Sequence, residues 1–138
     1  AAEYIKKQAA KDKRIKFYGF LPSRKDVIEK QSQATILINM RLPSEKASEY
    51  CFPSKLFEYM ATGVPVLSFK IKGIPKEYVD YLYFIENENV ESIIEAINAV
   101  LEEPQLERNQ KGNQAKMFIL EKKNTRIQCE RIWEYING

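Results

Sequence analysis

The chain has 138 residues, 44% hydrophobic and 30% charged, a composition typical of one globular domain with its own core. Its net charge of +3 is too small to indicate nucleic-acid binding, and no apolar run approaches the ~20 residues that cross a bilayer. The sequence contains no histidine, which excludes histidine-based catalytic triads and argues against a transition-metal site. Cys51 and Cys129 lack metal-ligand spacing and are predicted to be free thiols in a reducing compartment.

The first stretch predicts a short basic helix. Tyr4, Ile5 and Ala9 lie at helical spacing on one face. The basic residues of this end are Lys6, Lys7, Lys11, Lys13, Arg14 and Lys16. A run of this kind is typical of a solvated surface. The alternative is attraction to anionic lipid, to which one basic side chain contributes on the order of 1 kcal/mol.

A strand and a second helix are predicted next. Residues 15–19 combine β-branched and aromatic side chains and end in Gly19, as short strands do. Ser23 is placed to cap a helix over residues 24–31. We expect this helix to turn two apolar residues inward, Val27 and Ile28.

Residues 34–40 form an almost unbroken apolar run, which predicts a central parallel strand buried on both faces. The polar loop that follows, residues 41–51, is longer than the usual connection of about 2–6 residues. In open α/β sheets, ligands bind beyond the carboxyl ends of central strands. This loop is therefore a candidate part of a binding site.

The chain is organised around residues 52–67, which predict a helix, a glycine stop and a strand. Pro53 suits the first helical turn because its missing N–H would have no intrahelical partner. Gly63 is able to take the left-handed conformation that ends a helix, and Pro65 prevents any continuation.

The polar residues of this helix are the unexpected part. Ser54, Lys55 and Glu58 share one side of its first two turns. Free N–H groups, the positive end of the helix dipole and the lysine charge together suit a phosphate group. Glu58, one turn deeper, is placed to accept hydrogen bonds from sugar hydroxyls.

Two strands and three helices complete the chain. The strands are predicted over residues 64–69 and 81–85. The helices are an amphipathic one over 90–101 that Pro104 ends, a charged one to about Leu120, and a last one over 125–136 with Cys129, Ile132, Trp133 and Ile136 expected inward. Strands alternating with helices predict an α/β fold, a parallel sheet with helices on both faces.

Residues 52–67 resemble the donor-site signature of GT-B-fold retaining glycosyltransferases, of the group 1 or family four type. In that family the first amides of a helix hold the diphosphate of the donor, and a glutamate one turn later binds the ribose. The resemblance therefore implies that Ser54, Lys55 and Leu56 bind the diphosphate and that Glu58 binds the ribose.

The resemblance implies further contacts. Many members carry a second glutamate before the helix that touches the transferred sugar; Tyr50 occupies the matching position, with Glu49 beside it, and both are sugar-contacting candidates. Phe20 and Leu21 match the loop that borders the nucleobase, although without the resemblance they would be taken as core residues. Residues 70–78 match a loop around a Gly-Ile-Pro-Glu motif that borders the donor sugar.

The resemblance covers nearly the whole chain and implies that residues 1–138 are one Rossmann-like domain, the C-terminal half of the GT-B architecture. Members also have an N-terminal acceptor domain and two further strands with a basic loop, none of which precedes Ala1 in this sequence. We therefore expect a part of a larger enzyme that is inactive by itself. Its sheet would then rearrange, pair with a second copy, or keep an open edge, which is an aggregation hazard.

The first hypothesis is a glycosyltransferase that moves a hexosyl group from a UDP- or GDP-linked sugar to a polysaccharide or glycolipid acceptor. The leaving diphosphate would be stabilised electrostatically, and the nucleotide-sugar is a substrate, so neither a cofactor nor a metal is expected.

Two alternatives stay open. A sugar-nucleotide 2-epimerase shares the architecture, but the absence of histidine argues against it. A non-catalytic flavodoxin-like interaction module would leave the grouping of Ser54, Lys55 and Glu58 unexplained. The resemblance and the cysteines imply a cytoplasmic protein, with peripheral contact to the inner face of the cell membrane as a further expectation.

Overall fold

The structure, a computed structural model, describes residues 2–137 and divides the chain into two compact units, Ala1–Lys30 and Gln31–Gly138. Helix α1 (Ala2–Lys11) and most of helix α2 (Arg24–Ser32) belong to the first unit. The cap predicted at Ser23 is confirmed: the Asp26 N–H donates to Ser23 Oγ at 3.2 Å, and the Ser23 N–H donates back to the Asp26 carboxylate at 3.0 Å. The reciprocal bonds fix the start of α2.

The strand predicted over residues 15–19 is wrong. Among the described residues this segment joins no ladder, and the side chains of Ile15, Phe17 and Tyr18 are exposed. A strand needs the backbone of a neighbour to satisfy its N–H and C=O groups, and within the described residues no strand pairs with this segment. Ile28, which we expected to face inward, is exposed. Val27, the residue before it on α2, is half-buried.

The second unit contains a parallel sheet of three strands in the order β1 (Leu37–Asn39), β2 (Val66–Phe69) and β3 (Tyr83–Ile85). The register pairs Ile38 with Leu67 and Leu67 with Tyr83. Both pairings are parallel, so the predicted α/β class with a parallel sheet is confirmed. All four residues of β2 are buried. Within the described residues β1, which was predicted to be a central strand, is instead an edge strand and only partly buried, because it pairs with β2 alone.

Helix α3 (Ser54–Thr62) packs on β1, β2 and α5 (Gln105–Lys122). Its apolar face is fully buried through Leu56 and Met60. The predicted glycine stop is confirmed, because Gly63 takes a φ of 82° and its N–H donates to the Met60 carbonyl. This packing places the start of α3 at the carboxyl edge of the sheet.

Helix α4 (Val90–Glu102) packs on β3, and Pro104 separates it from α5 as predicted. The last helix, α6 (Thr125–Asn137), forms as expected, but none of its described residues is buried. Cys129, Ile132, Trp133 and Ile136, which we expected inward, are exposed. An amphipathic pattern forms a helix with one apolar side but does not supply the surface that covers it. None of the described helices is long and apolar enough to cross a membrane.

Candidate functional site

Three loops meet at the carboxyl edge of the sheet, because the strands they follow are parallel. The loop after β1 runs to α3 and contains a 3₁₀ turn, Lys46–Glu49. The loop after β2 comprises residues 70–75, and the loop after β3 comprises residues 86–89. This edge is where open α/β sheets bind ligands.

Hydrogen bonds tie these loops to one another. The Gly73 N–H donates to the Ser48 carbonyl at 3.0 Å, which joins the β2 loop to the β1 loop. Ser44 Oγ donates to Glu88 Oε2 at 2.7 Å, which joins the β1 loop to the β3 loop. A methyl group at Gly73 would overlap the Cys51 carbonyl, so only glycine fits there. The segment that leads into α3 is therefore held in place.

Ser48 lies at the centre of the β1 loop and is buried. Its hydroxyl donates to the Leu42 carbonyl at 2.7 Å and accepts from Arg41 Nε at 3.3 Å. Sequence reasoning counted Ser48 only as one polar residue of a polar loop. The available signal was a small hydroxyl residue among charged ones. Its hydrogen-bond partners lie six and seven residues away, and no sequence pattern identifies them.

The N-terminus of α3 has no side-chain cap, because Pro53 precedes it. The Leu56 N–H donates to the Pro53 carbonyl at 2.9 Å, and the Leu56 side chain is fully buried. The amides of Ser54 and Lys55 occupy the first positions, where the helical ladder provides no acceptor. Of the three residues predicted to bind a diphosphate, two thus present amides at the opening and the third anchors the helix in the core.

Lys55 and Glu58 lie on the same side of α3, as predicted from their spacing. Lys55 Nζ and Glu58 Oε2 are 2.9 Å apart, and both side chains reach solvent. An exposed pair of this kind contributes only about 0–1 kcal/mol. A ligand could therefore replace either partner of this pair with little loss of free energy.

The two sugar-contacting candidates, Glu49 and Tyr50, take different positions. Glu49 forms an ion pair with Lys72, with Oε1 and Nζ 2.5 Å apart. The hydrogen bond from Lys72, and a second from Tyr50, hold the pKa of the Glu49 carboxyl below its usual value. The Tyr50 side chain is exposed. Glu49 is thus ionised and already engaged across the two loops.

Phe20 and Leu21 belong to the first unit, whereas the α3 residues belong to the second. Phe20 is 99% exposed, so its interpretation as a core residue is wrong, and Leu21 is half-buried. Gly19, with a φ of 65°, turns the backbone immediately before them. An exposed phenylalanine is compatible with a surface role, and its contact with a nucleobase stays a prediction.

A cavity of about 380 Å³ opens between the β1 and β2 loops. Its walls are formed by Pro43, Ser44, Glu45, Lys46, Ser48, Glu49, Lys70, Ile71 and Lys72. A larger groove of about 1100 Å³ runs along α5 and Tyr81 but shares no residue with the three loops. We take the smaller cavity as part of the site because its walls belong to the loops that follow β1 and β2 at the carboxyl edge. The described residues contain no group of three or more cysteine or carboxylate side chains arranged to hold a metal.

The comparisons with known proteins bear on the identity of this site. The sequence model of the family described as Glycosyl transferases group 1 matches residues 2–117, more than four fifths of the chain. The match includes all three strands, α3 and the three loops at the carboxyl edge. The comparisons with curated proteins and with solved structures give no match. The extent of the family match shows that this chain belongs to the group 1 glycosyl transferases.

Proposed function

We propose that this chain is the donor-binding part of a retaining GT-B transferase that moves a hexosyl group from a UDP- or GDP-linked sugar to a polysaccharide or glycolipid. The observation that carries the proposal is the uncapped N-terminus of α3, with Ser54, Lys55 and Glu58 on one side of it. It lies at the edge of the sheet where α/β folds bind ligands. The 2-epimerase alternative gains no observation of its own from the structure.

The Lys55–Glu58 ion pair suggests how the donor would enter. A diphosphate at the helix N-terminus would replace Glu58 as the partner of Lys55, since it carries more charge and also accepts bonds from the free amides. Glu58 would then be released to accept hydrogen bonds from the ribose hydroxyls. One exchange of partners would thus bind both parts of the nucleotide.

The chemical step would rest on the same groups. As the bond between sugar and phosphate breaks, negative charge grows on the leaving diphosphate. The amides of Ser54 and Lys55 and the Lys55 ammonium would stabilise that charge without reorganising, which is how fixed donors lower a barrier. The acceptor would bind to a further domain of the same protein, at the inner face of the cell membrane or in the cytoplasm.

Replacement of Glu58 tests this assignment. We expect Glu58→Ala, in the full-length protein that contains this chain, to weaken UDP or GDP binding by at least about tenfold, since hydrogen bonds to a charged group contribute about 1.5–3 kcal/mol. Calorimetric titration measures the change. Glu95→Ala is the matched control, because Glu95 is an exposed glutamate on α4. Equal affinities of the wild type and Glu58→Ala would contradict the role given to Glu58.

A further inference from the structure

The cavity beyond β1 and β2 has more positive than negative side chains on its walls. Lys46, Lys70 and Lys72 line it, against two carboxylates, Glu45 and Glu49. All three lysines are exposed to the solvent that fills the opening. A cavity with this balance favours an anionic occupant.

Each of the two carboxylates has a basic side chain within 4.0 Å. Glu49 pairs with Lys72 at 2.5 Å, and Glu45 lies 4.0 Å from the Arg41 guanidinium, which is outside the cavity. Lys46 and Lys70 form no ion pair with any described residue. Two ammonium groups in one small cavity are therefore available to a ligand.

The other polar groups of the cavity are also engaged. The Ser44 hydroxyl donates to Glu88, and the Ser48 hydroxyl donates to the Leu42 carbonyl. Pro43 and Ile71 add apolar surface, which suits the C–H groups of a sugar ring. Lys46 and Lys70 are thus the strongest hydrogen-bond donors that remain available on the walls. The cavity volume of about 380 Å³ falls within the range of about 300–1,000 Å³ that is usual for small-molecule sites.

The cavity and the N-terminus of α3 are joined by one connection, the loop after β1. Glu49 stands on its wall, five positions before Ser54, and a chain of that length spans at most about 18 Å. The cavity walls do not include Ser54 or Lys55 themselves. A donor whose diphosphate lies at the start of α3 would therefore have a separate, neighbouring space for its sugar.

We propose that the sugar carried by the donor is acidic, a uronic acid, and that Lys46 and Lys70 select it by binding its carboxylate. The proposal rests on the proposed function, because it assumes that a nucleotide-sugar binds at α3. It assigns the two lysines to the sugar and leaves the diphosphate to α3. Their removal therefore acts on the choice of sugar and not on the nucleotide.

Pairs of donors that differ only at C6 of the sugar test the assignment. We would titrate the full-length protein with UDP-glucose and UDP-glucuronic acid, with GDP-mannose and GDP-mannuronic acid, and with UDP and GDP alone. For the nucleotide that binds, UDP or GDP, we expect the donor with the uronic acid to bind at least about tenfold tighter than the donor with the neutral sugar. The reason is that a hydrogen bond to a charged group contributes about 1.5 kcal/mol or more.

The double variant Lys46→Met, Lys70→Met should abolish this preference and leave the affinity for the free nucleotide unchanged. Lys25→Met is the matched control, an exposed lysine on α2 that does not line the cavity. A nucleotide that binds with no preference for the acidic sugar would overturn this inference alone. So would a double variant that weakens the free nucleotide as much as the uronic acid. If neither UDP nor GDP binds, the proposed function fails and the inference fails with it.

Discussion

Two apolar segments of this chain differ in whether their side chains are buried. In β2, Val66–Phe69, every residue is buried, whereas Ile15, Phe17 and Tyr18 in the segment 15–19 are all exposed. The amino-acid pattern favours a strand in both. The difference is that β2 has a parallel neighbour on each side, and the segment 15–19 has none among the described residues. An apolar pattern thus allows a segment to form a strand, but the strand forms only where a neighbouring strand pairs with it.

The two units differ in charge as well as in burial. Residues 1–30 carry nine basic and four acidic side chains, while residues 31–138 carry thirteen basic and fifteen acidic ones. No described residue of the first unit is buried, and the core lies entirely in the second. Because hydrophobic burial supplies most of the folding free energy, the stability of the chain should depend on the second unit.

The largest expected effect tests that dependence with a matched pair of truncations. Leu67→Ala should lower the free energy of unfolding by about 3 kcal/mol, because Leu67 is fully buried in β2 and its loss leaves a cavity. Ile15→Ala should lower it by less than about 0.5 kcal/mol, because Ile15 is exposed. Urea unfolding of the two variants measures both. Equal losses would contradict the comparison and indicate that residues 15–19 are buried in solution.

The sequence was informative where one local rule decides the outcome. Gly63 ends α3 and Pro104 ends α4, since the backbone conformations of glycine and proline need no distant partner. The long polar loop after β1 pointed to the carboxyl edge of the sheet before any strand order was known. Lys55 and Glu58 were correctly placed on one side of α3 because helix geometry alone sets that spacing.

The sequence failed where the outcome depends on residues far apart in the chain. Lys72 engages Glu49 across 23 positions, and Gly73 meets the backbone of Ser48 and Cys51. No periodicity encodes these contacts, so the cavity between the two loops could not be predicted. The exposed apolar side of α6 was missed for the same reason, since its pattern shows which side is apolar and not what covers it.

A smaller effect is expected where α5 crosses α3 in the second unit. A methyl group at Gly112 would overlap the Gly63 carbonyl, so Gly112→Ala should destabilise the chain by about 2 kcal/mol. Helix propensity alone would give the opposite sign, a gain of about 1 kcal/mol. Thermal unfolding decides between the signs. Gln110→Ala, an exposed position on the same helix, should stay within about 0.5 kcal/mol of the wild type. A stabilised Gly112→Ala would show that the two helices are not in close contact.

The smallest effect at neutral pH concerns Tyr78, whose ring packs against the rings of Phe52 and Phe118 in the second unit. Burial, and secondarily the negative charge of Glu77, raises the pKa of Tyr78 to about 12. In the unfolded chain a tyrosine loses its proton near pH 10. Between these values the unfolded state has lost a proton that the folded state keeps. The contribution of Tyr78 to stability is therefore complete below about pH 10 and is lost as the pH rises towards 12.

Tyr78→Phe removes this titration, so its stability should fall less steeply than that of the wild type above pH 10. Tyr135→Phe is the matched control, because Tyr135 is 90% exposed on α6. Urea unfolding at several pH values between 8 and about 11 compares the slopes. Coincident slopes for Tyr78→Phe and Tyr135→Phe would mean that Tyr78 is as hydrated in the folded chain as Tyr135. The aromatic cluster would then be open to water, and the contrast in burial between the two units would be smaller than the structure gives.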